Sequence, residues 1–182
     1  IYLMAFDTLF VNAGIDLEEN IKKAEILVQK AFDLNDELAE AHFVMACINS
    51  LSGKPDKAMD NIIRAYSCKP EDAEIMIWLA LAYILIGRSD AADSMISKCA
   101  KIDPINPMID SLIGRNHFYV GRFDLAVEPL ASAYNMNPGS GMNQFWKSLI
   151  LFYTNRVDEA HEFICKFVRE PASDSWTHLS IF

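Results

Sequence analysis

Small apolar residues keep step along this chain. Ala24, Ala58, Ala92, Ala126 and Ala160 follow one another at intervals of 34 residues, a spacing that marks an array of copies of one supersecondary unit. The polar positions repeat with them. Gly53, Gly87 and Gly121, with Asn155 in the fourth place, are residue types that tolerate the left-handed backbone at a helix end. Lys54, Arg88, Arg122 and Arg156 come next to them, near the negative end of the preceding helix. Asp56, Asp90, Asp124 and Asp158 stand three residues after each turn residue, where a carboxylate caps or complements the positive start of the next helix. Pro70, Pro104 and Pro138 close three units, and Asp72, Asn106, Ser140 and Asp174 recur as N-cap candidates for the units that follow. Each unit is therefore expected to hold two helices.

This pattern resembles the tetratricopeptide repeat, a helix–turn–helix of 34 residues, over nearly the whole chain. Counting from Ala39, the small or packing residues of the family at places 8, 20 and 27 are Ala46, Ala58 and Ala65, then Ala80, Ala92 and Cys99, then Gly114, Ala126 and Ala133. The last unit departs from the pattern with Ser148, Ala160 and Phe167, and the family's Trp at place 4 is replaced by His42, Met76, Asp110 and Gln144. The resemblance implies an all-α fold, a right-handed superhelical array of antiparallel helix hairpins (an α-solenoid). Residues 1–182 are read as one array: an imperfect unit 1–38, units 39–72, 73–106, 107–140 and 141–174, and a capping helix or start of a further pair over 175–182. In the imperfect unit Ala24, Ala31 and Leu34 mark the second helix, and Ile1–Phe10 fits a first helix only with a lengthened connection around Asn12–Asp16. That long turn, with Leu38–His42 and Asp103–Pro107, gives the array a texture similar to those attached to bacterial nucleotide cyclases and winged-helix regulators.

In this family places 2, 5, 9, 12 and 13 of the first helix line the concave inner surface. Here they are largely apolar or aromatic, and the helix Glu74–Ile86 is apolar almost all round, so something should cover that face. A branch of the family binds acidic peptide C-termini through lysine and asparagine at inner places. This chain has Phe43, Ile77 and Ser111 at place 5 and Cys47, Leu81 and Arg115 at place 9, which rejects that clamp. The candidate partner-binding residues are Phe43, Cys47, Ile77, Leu81, Ile84, Met108, Arg115, Phe118, Tyr119, Met142, Phe145, Leu149 and Phe152, an apolar groove edged by Glu40, Glu74 and Arg115. Three covers fit it: the array or a neighbouring domain folding over it, an amphipathic helix or apolar peptide from a partner, and a small apolar ligand.

Composition narrows the partners. An apolar fraction of 52% with seven glycines and seven prolines belongs to a packed chain, and no uninterrupted apolar stretch reaches membrane-spanning length. The net charge is −9, and residues 1–52 alone carry −6. Nucleic-acid binding by this segment is disfavoured for want of a basic face, and the acidic end is read as a solvated helix surface. Cys47, Cys68, Cys99 and Cys165 form no Cys-x-x-Cys pair, which together with the absence of sequons and a cleavable signal favours a reducing, cytoplasmic setting. The chain opens on Ile1 and is expected to be a fragment, so a signal or anchor could lie upstream.

Catalytic chemistry is not assembled. His42, His117, His161 and His178 give no metal-ligand spacing, and His42 and His117 are expected to be buried and hydrogen-bonded. Gly139-Ser140-Gly141 lacks the lysine of a phosphate loop, while Glu18-Glu19 and Asp158-Glu159 sit at helix starts. No metal or cofactor is implied. The expected function is a non-catalytic interaction module that binds a partner helix or apolar peptide, as part of a larger signalling or regulatory protein, with self-association as a further possibility. The alternative is a ligand- or peptide-sensing effector domain of a bacterial transcriptional or cyclase-type regulator.

Overall fold

The computed structural model of the protein describes residues 17–106 and 108–169. Among these residues every regular element is a helix: α1 (Leu17–Phe32), α2 (Ala39–Leu51), α3 (Pro55–Cys68), α4 (Ala73–Leu85), α5 (Ser89–Ile102), α6 (Met108–Tyr119), α7 (Phe123–Met136), α8 (Gly141–Tyr153) and α9 (Val157–Arg169). They form an all-helical hairpin array. The first helix expected over residues 1–10 and the capping helix expected over 175–182 lie outside the described residues.

The hairpin turns show how the sequence ends a helix. Gly53, Gly87 and Gly121 adopt φ of 67°, 75° and 77°, and Asn155 adopts 59°. Entry into the left-handed region turns two successive N–H groups back on the helix. Gly53 N–H donates to the Ser50 carbonyl (3.1 Å) and Lys54 N–H to the Asn49 carbonyl (2.8 Å), and the same pair of bonds recurs at Gly87, Gly121 and Asn155. The next helices begin with Lys54, Arg88 and Arg122 as N-caps that make no side-chain capping bond. Asp56, Asp90 and Asp124 therefore act inside the first turn, as charges against the dipole rather than as caps. At three junctions between repeats the caps are made by side chains: Asp72 Oδ1 accepts from the N–H of Glu74 and Ile75, Asn106 Oδ1 from Met108, and Ser140 Oγ from Asn143, whereas Leu38, before α2, makes no side-chain cap.

The chain divides into two compact units, one ending at Leu79 and the other beginning at Ala80, within α4. In the first unit α1 packs on α2 and α2 on α3. Ala24, Val28, Val44, Ile48, Ile62 and Ala65 are buried, and fully burying a Val or Ile side chain is worth about 1.5–3 kcal/mol. His42 is buried as expected. Its Nε2 donates to the Asp36 carbonyl (2.9 Å), its Nδ1 lies 3.3 Å from Asn61 Oδ1, and its ring packs on Phe32 at 4.8 Å.

In the second unit α5 packs on α6, α6 on α7, α7 on α8 and α8 on α9. Its core holds Ala126, Leu130, Trp146 and Ile150. Gly114 brings α6 against α7: a Cβ built there would stand 2.5 Å from Leu130 Cγ and 3.1 Å from the Leu130 backbone nitrogen. The two places that depart furthest from the family's Trp carry specific polar bonds. Ser132 Oγ donates to Asp110 Oδ2 (2.5 Å), and Gln144 Nε2 donates to the Pro138 carbonyl (2.5 Å). Asn116 Nδ2 ties α6 to α5 through the Ser89 carbonyl (3.2 Å) and Asp93 Oδ1 (2.7 Å). His117, expected to be buried, is only half-buried, because it stands in the last turn of α6 where the packed face gives out.

Candidate functional site

On α8, Met142, Phe145, Leu149 and Phe152 recur at spacings of three, four and three residues, which puts them on one stripe of the helix. Met142 and Leu149 are half-buried, whereas Phe145 and Phe152 are 43% and 60% exposed. A ladder of ring contacts continues from this stripe onto α6. Phe145 meets Trp146 at 5.4 Å, Trp146 meets Phe118 at 5.3 Å and Tyr119 at 5.8 Å, Phe118 meets Tyr153 at 4.9 Å, and Tyr153 meets Phe152 at 6.0 Å. Phe123, at the start of α7, closes the ladder against Phe118 and Tyr153. Tyr119 and Tyr153 are also about half exposed. These rings thus form one connected surface whose inner members are packed and whose outer members face water. Edge-to-face pairs of this kind hold the rings in fixed orientation and are worth about 0.5–1.5 kcal/mol each beyond area burial.

Beside this ladder lie buried polar atoms with no partner among the described residues. Arg115 is only 7% exposed, and its guanidinium carbon sits 5.1 Å from the centroid of the Trp146 ring. Its Nε, the Nε1 of Trp146 and the Oγ of Ser111 make no hydrogen bond among the described residues. Burial lowers the Arg115 pKa to about 10, with Tyr119 acting the other way. Asp110, one residue from Ser111, is engaged with Ser132. The Nε of this guanidinium, set against a ring face, thus has no acceptor among the described residues.

The remaining sequence candidates are placed differently. Phe43, Cys47 and Ile77 in the first unit are buried, with Phe43 5.8 Å from Trp78, as are Leu81 and Ile84 in the second. Burial, with the Glu74 carboxylate nearby, pushes the Cys47 thiol up to about 12. Met108 is half-buried. The edge residue Glu40 accepts from Lys69 Nζ at 3.0 Å, and Lys69 also pairs with Asp72 at 3.1 Å. The accessible candidates are therefore concentrated on α6 and α8.

Sequence reasoning passed over Trp146 and Phe123, which help to build the ladder, whereas Tyr153 stands at an inner place of its unit. It also passed over a second feature, an open cleft of about 390 Å³ lined by Val127, Ala131, Lys147, Ile150, Leu151, Arg156, Glu159, Glu162 and Phe163. There Lys147 Nζ lies 3.9 Å from the Tyr134 ring centroid and 4.9 Å from that of Phe163, and burial, then Arg156, lowers its pKa. Its lysine is held between two rings and Arg156 is bonded to Glu159. No group of three metal-ligating side chains occurs among the described residues, and no helix among them is long and apolar enough to cross a membrane.

Comparison with known proteins agrees with this architecture. Residues 73–106 match the family model of the tetratricopeptide repeat, the span that one 34-residue unit occupies in the sequence. No curated protein matches the chain in sequence. Among solved structures, a thermophilic TPR protein of Thermus thermophilus superposes with a TM-score of 0.76 at 16% identity, covering 97% of this chain and 96% of that one. Pseudomonas aeruginosa pilF gives 0.68 at 15% identity, over 92% and 77% of the two chains. MamA of AMB-1 gives 0.61 at 20% identity, over 82% and 88%. The fold is that of tetratricopeptide arrays, which generally serve as non-catalytic scaffolds for protein–protein interaction.

Proposed function

We propose that this protein is an interaction module whose second unit docks an amphipathic partner helix on the aromatic face of α6 and α8. The observation that carries this reading is the connected ladder from Phe145 through Trp146, Phe118 and Tyr119 to Tyr153 and Phe152, with Phe145, Tyr119, Tyr153 and Phe152 substantially exposed. Aromatic side chains are the preferred anchors of interfaces because they bury much area at little conformational cost. A contiguous apolar patch on an otherwise acidic protein is costly to leave in water, and the half-buried Met142 and Leu149 between the rings provide the floor of a groove for leucine-type side chains. In the regulatory setting implied by the texture of the array, such docking joins this module to its effector without chemistry of its own.

The test uses a doubly capped, leucine-rich amphipathic helical peptide as probe. Affinity and unfolding midpoint are measured together for the parent chain, Phe145→Ser and Phe152→Ser. Because both rings are exposed, the variants should keep their stability to within about 0.5 kcal/mol while affinity falls by about 2 kcal/mol, the size of an interface hot spot. Unchanged affinity in both variants contradicts the proposal. Concentration-dependent dimerisation abolished by the same substitutions assigns the face to a second copy instead and also contradicts it.

A further inference from the structure

The cleft within the second unit holds a residue out of keeping with its place in the repeat. Lys147 stands at place 7 of its unit, where the earlier units have Met45, Leu79 and Ile113, all of them apolar. That place faces neighbouring helices: Leu79 is buried, and Met45 and Ile113 are half-buried. A lysine there carries a charge to a position at which the array packs apolar side chains, so its ammonium needs compensation.

Two rings supply part of it. Lys147 Nζ lies 3.9 Å from the Tyr134 centroid and 4.9 Å from that of Phe163, and the two rings meet edge to face at 5.1 Å. A ring face attracts a cation but offers no lone pair to the three N–H donors of an ammonium. No carboxylate pairs with Lys147 among the described residues. Of the other charged side chains lining the cleft, Arg156 is joined to Glu159 by two bonds, at 2.8 and 2.6 Å, and Glu162 is exposed. Lys147 is thus the cation left open to an incoming anion. Burial, and then the like charge of Arg156, lowers its pKa, which fits an ammonium short of an anionic neighbour.

The rest of the lining is apolar, with Val127 and Ala131 from α7, Ile150 and Leu151 from α8 and Phe163 from α9. The volume of about 390 Å³ equals about a dozen water-sized groups and lies at the lower end of the range in which proteins hold small ligands. A helix about 10–12 Å across sweeps more than this in one turn, so the cleft is sized for a small molecule and not for a helical partner.

We propose that the cleft of α7, α8 and α9 binds a small apolar carboxylate, with its chain on Val127, Ile150, Leu151 and Phe163 and its carboxylate on the Lys147 ammonium. A charge-assisted bond to the ammonium fixes the head of the ligand, and the apolar lining selects its body. This site is separate from the docking role of the α6–α8 face and does not depend on it.

Octanoate and its neutral counterpart octanol are the probes, titrated into the full chain and followed by calorimetry and NMR. Octanoate should bind at least about tenfold more tightly than octanol, the ratio that one charge-assisted hydrogen bond supplies, and should shift the signals of Ile150 and Phe163. Lys147→Met, which installs a residue found at place 7 of an earlier unit, should abolish that preference. Phe145→Ser, on the α6–α8 face, should leave octanoate binding unchanged. Equal binding of octanoate and octanol overturns the carboxylate site, as does a preference that persists in Lys147→Met. Loss of octanoate binding in Phe145→Ser assigns the ligand to the aromatic ladder and overturns it too, and so does the absence of octanoate binding to the parent chain. Should Lys147→Met fail to fold, Lys147→Gln, which keeps a polar side chain without the charge, decides between the same outcomes.

Discussion

Replacing Gly114 by alanine adds one methyl group where α6 meets α7. Alanine is the better helix former, so an unobstructed site would gain about 0.8–1 kcal/mol. Here the added Cβ falls 2.5 Å from Leu130 Cγ and 3.1 Å from the Leu130 backbone nitrogen. Leu130 is buried among Ala126, Trp146 and Ile150, so its side chain has no open space to swing into, and the backbone contact can be relieved only by moving α7 as a body. Overpacking of this kind costs about 1–3 kcal/mol. The steric term wins, and Gly114→Ala should be less stable by about 1–2 kcal/mol, measured by urea unfolding with the slope unchanged. A double-mutant cycle adds a second check: Leu130→Ala alone should cost about 2–5 kcal/mol, and the double variant should cost less than the sum of the two singles. Gly114→Ala as stable as the parent, or strict additivity in the cycle, would refute the close approach of the two helices.

Other substitutions probe the turns, the buried charge, the thiols and the acid limit. Asn155→Gly, which removes the Cβ from a residue at φ 59°, should raise stability by up to about 1 kcal/mol in thermal unfolding, and a loss would contradict the left-handed turn. Arg115→Met should leave the unfolding midpoint unchanged or raise it, because a buried charge with no ion pair among the described residues is replaced by an apolar stem; a fall of several degrees would reveal a pairing partner. Cys68, which is exposed, should react at once with a thiol reagent in mildly alkaline buffer, whereas Cys47, buried with its thiol pushed up to about 12, should react only on unfolding. Finally, the Arg156 guanidinium bonded to Glu159 holds that carboxyl below its ordinary 4.5, so its contribution is present above 4.5 and lost as pH falls through the lowered value. The stability difference between the parent and Glu159→Gln should accordingly close on acidification below 4.5, and a difference that widens there would contradict the sign.

Much of the architecture is written in short-range chemistry. The left-handed turns at Gly53, Gly87, Gly121 and Asn155 need a residue type that tolerates positive φ, and the caps at Asp72, Asn106 and Ser140 need a short polar side chain, so both can be read one residue at a time. Depth is another matter. Phe43, Ile77 and Ile84 occupy inner-face places by register, yet register fixes only direction around a helix, while the distance to the next packed element decides that these side chains are buried. Arg115 is the sharpest case. Its place in the period suggests a groove edge, but Trp146, on a helix of the following repeat, covers it, and that contact depends on how α8 sits against α6. The ladder was half legible for the same reason: Phe118, Tyr119, Phe145, Phe152 and Tyr153 stand at inner places, whereas Trp146 and Phe123 join them only through packing.

The most direct measurement of the docking claim is paramagnetic relaxation enhancement with the leucine-rich peptide carrying a nitroxide at its centre. Bound to the proposed face, the label should broaden the signals of Tyr119, Phe145, Leu149 and Phe152 more strongly than those of Glu159 and Glu162, on the α9 side of the cleft. Broadening centred on the cleft, or spread evenly over both sets, would contradict the account.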